Sequence, residues 1–493
     1  MAPFRDLHEF AAACEKRGWL KRIKAKVNPY LEIAEITDRV SKMPGGGYAL
    51  LFENVEGSQF PVLTNTFGSM ERMCLALGVE TLDDIGVRIK DLMKLPGPGG
   101  GLFDKLGQGL DLLNVAKSTH PKTVSKAPCQ EVVMTAPDLT KLPVLTTWPK
   151  DGGPFLTLTN VITRDPATGG RNIGMYRLQV YDKQTTGMHW HKHKDGQRHY
   201  DASIEAGRGP ESGAGTKMPV AVALGGDPAT VYSGSAPLPP MIPELMFAGF
   251  VRGEPVELVK CKTIDLEVPA HADFIIEGYV DTSEPLKIEG PFGDHTGFYS
   301  PADPYPVFHV TCITHRKDAI YPATLVGKPP MEDVYLGKAT ERIFLPMLQM
   351  FMSEVLDYNM PPAGTFHNCV LVKIKKRYPG QARKVVQGMW GMGLMMLAKT
   401  IVVVDEHIDL NDYNQVFWYA SGNIDPKRDV FFAEGPADDL DHAAPTWRFG
   451  SKMGIDATRK WPEEGHPRQW PDEIDMSPEV VAQVTRRWKE FGI

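Results

Sequence analysis

The chain of 493 residues has no apolar run of the roughly 18–20 residues that a membrane-spanning helix requires. It has no CxxC pair. Its six cysteines (Cys14, Cys74, Cys129, Cys261, Cys312 and Cys369) are too few and too scattered for a disulfide framework, so reduced, mostly buried thiols are expected. It has no excess of positive charge: Lys+Arg is 54, Asp+Glu is 61 and the net charge is −7, which leaves no electrostatic footprint for nucleic acid. No GxGxxG fingerprint or Walker A loop follows a strand. There is no internal repeat and no low-complexity tract. The opening MAPFRDLHEF carries charge at once and has no apolar core for a secretory signal, so a cytoplasmic location is expected, peripheral to a membrane at most.

Ordinary globular composition remains, with 42% hydrophobic and 23% charged residues. At about 150 residues per domain the length allows about three domains. RDLHEFAAACEKRGWL places Leu7, Phe10, Ala11 and Cys14 at helical spacing, and GWLKRIKAKV follows as a strand. LEIAEITDRVSKM and TLDDIGVRIKDLMKL predict further helices around the strand YALLFENV. The Pro96–Gly101 stretch then breaks the pattern as a candidate hinge. From about 130 to 330, short β-branched runs alternate with turn signals, which favours a barrel or sandwich. After 335, helix and strand patterns alternate again, the α/β signature. The chain ends in a helix with Ser477 as its expected N-cap.

Four segments carry candidate chemistry. In Met188-His189-Trp190-His191-Lys192-His193-Lys194-Asp195, a continuing strand would put His189, His191 and His193 on one face, where three imidazoles can hold a transition metal. The alternative is a polar strand end. In Glu289-Gly290-Pro291-Phe292-Gly293-Asp294, a tight turn can bring two carboxylates together. Their repulsion would drive one pKa up and make a general acid. In Asn172-Ile173-Gly174-Met175-Tyr176-Arg177, Arg177 offers a permanent planar fork for a carboxylate or phosphate and Asn172 a neutral oxygen. Standing alone, an arginine in a strand is more often a structural ion pair. Pro239 to Pro243 fix a loop before a helix that starts near Glu244, an acid that reads as a dipole-stabilising residue or as a metal ligand.

NIGMYR at 172–177, MHWHKHKDG, ALGGDPA at 223–229, the stretch 256–270 ending in DLEVPA, EGPFGDHTGFY and the late GSKMGIDAT with Lys460-Trp461-Pro462 together resemble the UbiD family of decarboxylases that use prenylated FMN. The resemblance runs in order along nearly the whole chain. Its ending looks like the branch containing 4-hydroxy-3-polyprenylbenzoate decarboxylase of ubiquinone biosynthesis. The resemblance implies an α+β / α/β multidomain fold: an N-terminal α/β domain (1–125), a central split β-barrel of flavin-reductase type that binds flavin and metal (126–330), and a C-terminal α/β domain with a terminal oligomerising helix (331–493). The Pro-Gly stretch would then be a loop within the first domain.

Residue by residue, the resemblance implies a divalent metal, commonly Mn2+, on Asn172, His193 and Glu244. It implies cofactor contacts from Met175, Tyr176, Arg177, His189, Trp190, His191, Lys194 and Asp195, and a catalytic trio of Arg177, Glu289 and Asp294, with Asp294 as proton donor. A K+ ion would lie by the carbonyls of Ser233 to Ala236. The family pattern has an arginine five residues after Trp418. Here that position is Asn423, which puts ion or phosphate contacts near it in doubt. The implied activity is reversible, non-oxidative decarboxylation of an aromatic acid of 4-hydroxybenzoate type, with or without a polyprenyl tail, or of an unsaturated acid. A flavin prenyltransferase would supply the cofactor, membrane contact would be transient, and the assembly would be a homo-oligomer, dimer or hexamer. Three alternatives stand beside it: an aryl carboxylase component working towards CO2 fixation, a flavin-free metal-dependent hydrolase on the histidine triplet, and a non-catalytic assembly partner.

Overall fold

The computed structural model describes residues 4–93, 119–207, 217–239 and 242–493. The Pro96–Gly101 hinge and the Pro240–Met241 part of the proline loop lie outside the described residues.

The N-terminal part is built on local signals. Asp6 caps the helix Leu7–Lys16 by accepting the Glu9 amide at 3.0 Å, and the helix buries Leu7, Phe10, Ala11 and Cys14, the residues its 3.6-residue period selects. Strands Leu20–Val27 and Ala49–Val55 pair in parallel across the helix Glu32–Ser41, and Val62–Thr64 returns antiparallel. The fourth strand, Tyr321–Pro322, comes from far down the chain, so the first and second parts share one sheet. Glu332, buried, fastens the same junction: one oxygen accepts the Phe67 amide at 2.6 Å and the other the Thr324 hydroxyl at 2.8 Å.

The centre is a seven-stranded antiparallel sheet. Its path runs Thr185–Gly187, Val307–His315, Phe274–Asp281, Lys217–Leu224, Thr159–Arg164 and Arg171–Gly174, with Val132–Met134 added beside Val307–His315. Lys217–Leu224 pairs with Phe274–Asp281 over eight residues and buries Val220, Val222 and Leu224 on one face and Ala221 and Ala223 on the other. Each such branched side chain contributes about 1.5–3 kcal/mol by burial. The edge strands Thr185–Gly187 and Arg171–Gly174 do not pair with each other among the described residues, so no closed barrel forms there.

The 20-residue helix Glu332–Phe351 leads into the last part. It lies across the helix Asp83–Met93 at Gly86, where a Cβ would meet the Arg342 carbonyl at 2.9 Å, so only glycine allows the approach. A mixed five-stranded sheet follows in the order Val355–Asn359, Val370–Ile374, Thr400–Asp405, Phe449–Asp456, Val430–Pro436. The parallel pair at its centre is joined through the helix Gln381–Trp390, as parallel strands require. The final helix Pro478–Arg487 is capped by Ser477 and buries none of its residues in this chain. No helix among the described residues is long and apolar enough to cross a membrane. All six cysteines are free thiols, with Cys14, Cys129 and Cys312 buried.

Candidate functional site

Arg177 lies in the short link between strands Arg171–Gly174 and Leu178–Gln179, and Glu289 ends the strand Lys287–Glu289. The loop after Glu289 folds tightly back: the Gly297 amide donates to the Asp294 carbonyl, the Ser300 amide to the Phe292 carbonyl, and Gly290 lies so close to Gly152 that a Cβ would stand 2.6 Å from its Cα. The turn therefore aims Glu289 and Asp294 at Arg177 from two sides. Arg177 Nε and Nη2 donate to Glu289 Oε1 at 2.9 and 2.7 Å, Nη1 donates to Asp294 Oδ2, and Nη2 also reaches Ser300 Oγ at 3.1 Å. The guanidinium lies 4.8 Å from the Phe292 ring centre. Four of its five N–H groups are used, and one on Nη1 remains.

The electrostatics correct one expectation. The two acids do not repel a proton onto one of them. Burial pushes both carboxyls up, but Arg177 and His189 hold Glu289 below its ordinary range, and the His295 hydrogen bond with the Arg177 charge holds Asp294 well below its own. The surrounding cations are the reason: attraction to Arg177 between the acids, to His295 beside Asp294 and to His189 beside Glu289 outweighs their mutual repulsion. His189 Nδ1 lies 2.9 Å from Glu289 Oε1, and its ring packs on Tyr305 at 4.3 Å. Glu289 Oε2 is buried and has no partner among the described residues.

The histidine alternation does not survive folding. The strand stops at Gly187, a turn follows, and a helix begins at Asp195, so the three imidazoles diverge. His189 faces Glu289, His191 faces Asp438 and Asp439, and His193 is exposed beside the His191 ring. Among the described residues no three His, Cys, Asp or Glu side chains are grouped to hold a metal.

Of the expected metal ligands, Asn172 and Glu244 come together. Glu244 Oε2 accepts the amide of Ile173, the residue next to Asn172, at 3.0 Å. No hydrogen bond joins His193 to either among the described residues. Burial raises the Glu244 carboxyl to about 7, and the buried Asn172 Nδ2 has no partner. A desolvated carboxylate is a setting that a cation would complete, and the Asn172 amide would offer Oδ1 to it, since Nδ2 is a donor. Of the expected cofactor contacts, Tyr176 is buried and accepts the Gly196 amide at 3.3 Å, Met175 donates its amide to the Gly234 carbonyl, and Trp190 is buried with Nε1 unpartnered. Lys194 lies near Asp438 and Asp195, and Asp195 pairs with Arg198 at 3.0 Å. In the Ser233–Ala236 turn, the Ser233 and Gly234 carbonyls accept the Ala236 and Met175 amides.

Sequence reasoning missed Ser300, Phe292, His295, His367, Asp438 and Asp439. His295 Nδ1 lies 3.1 Å from Asp294 Oδ1, and despite burial its carboxylate neighbours raise its pKa to about 9. Asp438 and Asp439 come from the connection between strands Val430–Pro436 and Phe449–Asp456 and bring the C-terminal sheet to the site. Asn423, the departure from the family pattern, lies apart: its side chain donates to the Ala457 carbonyl at 3.4 Å and touches Tyr419.

Comparison with known proteins gives three family matches. Residues 11–89 match the 3-octaprenyl-4-hydroxybenzoate carboxy-lyase N-terminal domain, 122–329 the Rift-related domain and 334–457 the C-terminal domain. An uncharacterized protein of Aquifex aeolicus is 52% identical over 491 residues, 99% of each chain. The vanillic acid decarboxylase of Sedimentibacter hydroxybenzoicus in closed form superposes with a TM-score of 0.83 at 27% identity, over 99% of each chain. An evolved dimeric form of the UbiD-class enzyme HmfF from Pelotomaculum thermopropionicum, in complex with prFMN, superposes with a TM-score of 0.76 at 28% identity, over 97% of this chain and 98% of that one.

Proposed function

The chain belongs to the UbiD family of carboxy-lyases, and from that premise we propose that it decarboxylates an aromatic or unsaturated carboxylic acid without oxidation, using prenylated FMN. The observation that carries the reading is the buried Arg177–Glu289–Asp294 cluster, with one guanidinium N–H left over.

Losing CO2 from an unsaturated carbon leaves charge that no side chain can absorb, and prenylated FMN supplies the electron sink when bound. The chain's own residues do the rest. The remaining Nη1 N–H of Arg177 takes a substrate carboxylate, and the two acids fix the fork that presents it. Glu289 orients Arg177 and His189. Asp294 delivers the proton to the carbon that has lost CO2. It is ionised in the substrate-free site, but a second anion on Arg177 takes up part of the cation's field and adds like charge, and both raise the Asp294 pKa towards protonation. The same groups run backwards would carboxylate a phenol, because the acid of one direction is the base of the other.

Asn172, His193 and Glu244 would hold Mn2+, which would supply positive charge for the anionic cofactor. Oxygen ligands with one imidazole suit such a harder ion better than zinc. Met175, Tyr176, His189, Trp190, His191, Lys194 and Asp195 would line the cofactor, and K+ would lie by Ser233–Ala236. The substrate class favoured is a 4-hydroxybenzoate, with or without a polyprenyl tail. We place the domain borders at 1–125, 126–330 and 331–493, read the central sheet as the split barrel, and assign the unburied C-terminal helix to self-association. Asp294→Asn tests the trio: it keeps the flavin and loses about 10²–10⁴ in turnover. Wild-type turnover in that variant removes Asp294 from the chemistry.

A further inference from the structure

Decarboxylation consumes one proton per turnover, since a carboxylate leaves as CO2 and a C–H bond takes its place. Asp294 must therefore be reloaded in every cycle, and its side chain is only 12% exposed. Its hydrogen-bond partners narrow the source. Oδ2 accepts Arg177 Nη1, and a guanidinium does not lose its proton. Oδ1 accepts the backbone amide of His295 at 2.7 Å and faces His295 Nδ1 at 3.1 Å. Among the described residues, the His295 imidazole is the one partner of Asp294 that can give a proton up.

The imidazole has a second side. His295 lines a cavity together with Asp333, Gly337, Pro361, Thr365 and Phe366, whose ring centre lies 5.3 Å from that of the imidazole. The free space there is about 10 Å³, the room of a single water. Among the described residues, Asp333 is the only other ionisable group on the cavity wall. It stands in the first turn of the helix Glu332–Phe351, and its Oδ1 accepts the Val334 amide at 3.0 Å. Burial raises its carboxyl to about 7, so it exchanges a proton with water at neutral pH. Burial alone would lower His295, but its hydrogen bond to Asp294 and the charges of Asp294, Asp333 and Asp438 raise it to about 9. A proton therefore runs downhill from Asp333 to His295 and waits there, beside a donor that is ionised until substrate binds.

We propose that His295 and Asp333 form a proton relay that reloads Asp294 from solvent through the cavity they both line. The inference rests on the decarboxylase reading and adds the route by which protons reach the donor. In the transfer, the Nδ1–H bond of the imidazolium breaks, its electron pair stays on the nitrogen, and an O–H bond forms at Asp294 Oδ1. Asp294 passes a proton to the carbon that has lost CO2 and returns to its ionised form. The neutral imidazole recovers a proton by way of water in the cavity, and Asp333 draws the replacement from bulk solvent. One solvent proton enters for each C–H bond made, and the relay neither gains nor loses an electron.

The test uses the full chain loaded with prenylated FMN, turning over whichever of 4-hydroxybenzoate, 3,4-dihydroxybenzoate and cinnamate releases CO2 fastest. In wild type, kcat should fall as pH rises through about 9, where His295 gives up its proton. Four charged groups face the imidazole: Asp294 beside it, Arg177 behind Asp294, Asp333 on the cavity wall and Asp438 from the C-terminal part. Asp333→Asn removes an anion that favours the imidazolium, so the fall should move to lower pH. His295→Gln keeps an N–H for Asp294 but cannot relay a proton, so kcat should drop at least about tenfold while KM and flavin content hold. An unchanged pH profile in Asp333→Asn overturns the relay. So does a His295→Gln loss confined to KM, which would place the imidazole on the substrate. Flavin-free protein with isotope-labelled histidine rings gives a reading without turnover. Its NMR titration should show one imidazole that titrates near 9, is missing from His295→Gln and titrates lower in Asp333→Asn. Absence of that imidazole, or its indifference to Asp333→Asn, overturns the proposal. If no acid releases CO2, the decarboxylase reading fails, and the titration still decides whether Asp333 acts on His295.

Discussion

Replacing Arg177 with methionine keeps most of the side-chain volume and removes the charge between two carboxylates. Arg177 is 8% exposed, Glu289 1% and Asp294 12% at the side chain, so neither acid can turn to water. Removing one partner of a buried ion pair costs about 3–5 kcal/mol. His189 still bonds Glu289, which favours the lower end. At about 2–4 °C per kcal/mol for a unit of 150–250 residues, Tm should fall by roughly 6–20 °C. The deficit must also depend on pH. In wild type both acids have folded pKa values below their unfolded ones, so their stabilisation is present above about pH 4 and is lost only as pH falls through the lowered folded values. In the variant, burial without the cation raises Glu289, while the His295 hydrogen bond still holds Asp294 down. The folded state then holds a proton that the unfolded state releases, and stability falls as pH rises above about 4. Thermal unfolding of the flavin-free protein at pH 5 and pH 8 reads this: the variant should lie far below wild type at pH 8 and closer to it at pH 5. A Tm drop under about 2 °C at both pH values would refute the claim that Arg177 holds the two carboxylates.

Three further outcomes follow from particular residues. Glu244→Ala should lose bound manganese and weaken flavin retention together, measured by elemental analysis and absorbance; full retention of both removes Glu244 from the metal site. His295 is protonated up to about pH 9 when folded and to about 6.5 when unfolded, so its stabilisation is complete below 6.5 and declines across that window. His295→Gln should flatten the fall in Tm between pH 6.5 and 9, and an unchanged slope contradicts the placement of that charge. The C-terminal helix exposes Val480, Val481 and Val484, with Trp488, Phe491 and Ile493 beyond it. Sedimentation should therefore show an oligomer for the full chain and a smaller species after truncation at residue 470; identical mass for both contradicts a role in assembly.

Local order was legible wherever one element carries its own signal. The spacing of Leu7, Phe10, Ala11 and Cys14 marks a buried face, and Ser477 before an apolar-periodic run marks a helix start. The site was legible only through family resemblance. Arg177 lies 112 residues from Glu289 and 117 from Asp294, and no period or spacing links residues so far apart. The histidine triplet misled because alternation predicts a shared face only while the strand lasts, and here it ends two residues before His189. The raised carboxyl was misjudged because a turn shows two acids but not the arginine that folds between them. Asp438 and Asp439 stand in a loop with no motif of their own; only the seam between the central and C-terminal parts brings them to His191 and His367. Ser300 carries no signal beyond following the EGPFGDHTGFY string.

The central claim is that this chain holds prenylated FMN and removes CO2 with it. The most direct measurement is the absorption spectrum of the protein purified after co-expression with a flavin prenyltransferase, with mass spectrometry of the released small molecule and a metal count. The account predicts a coloured protein that releases prenylated FMN, contains manganese, and liberates CO2 from an aromatic acid. A colourless protein with no flavin mass and tightly bound zinc would contradict it.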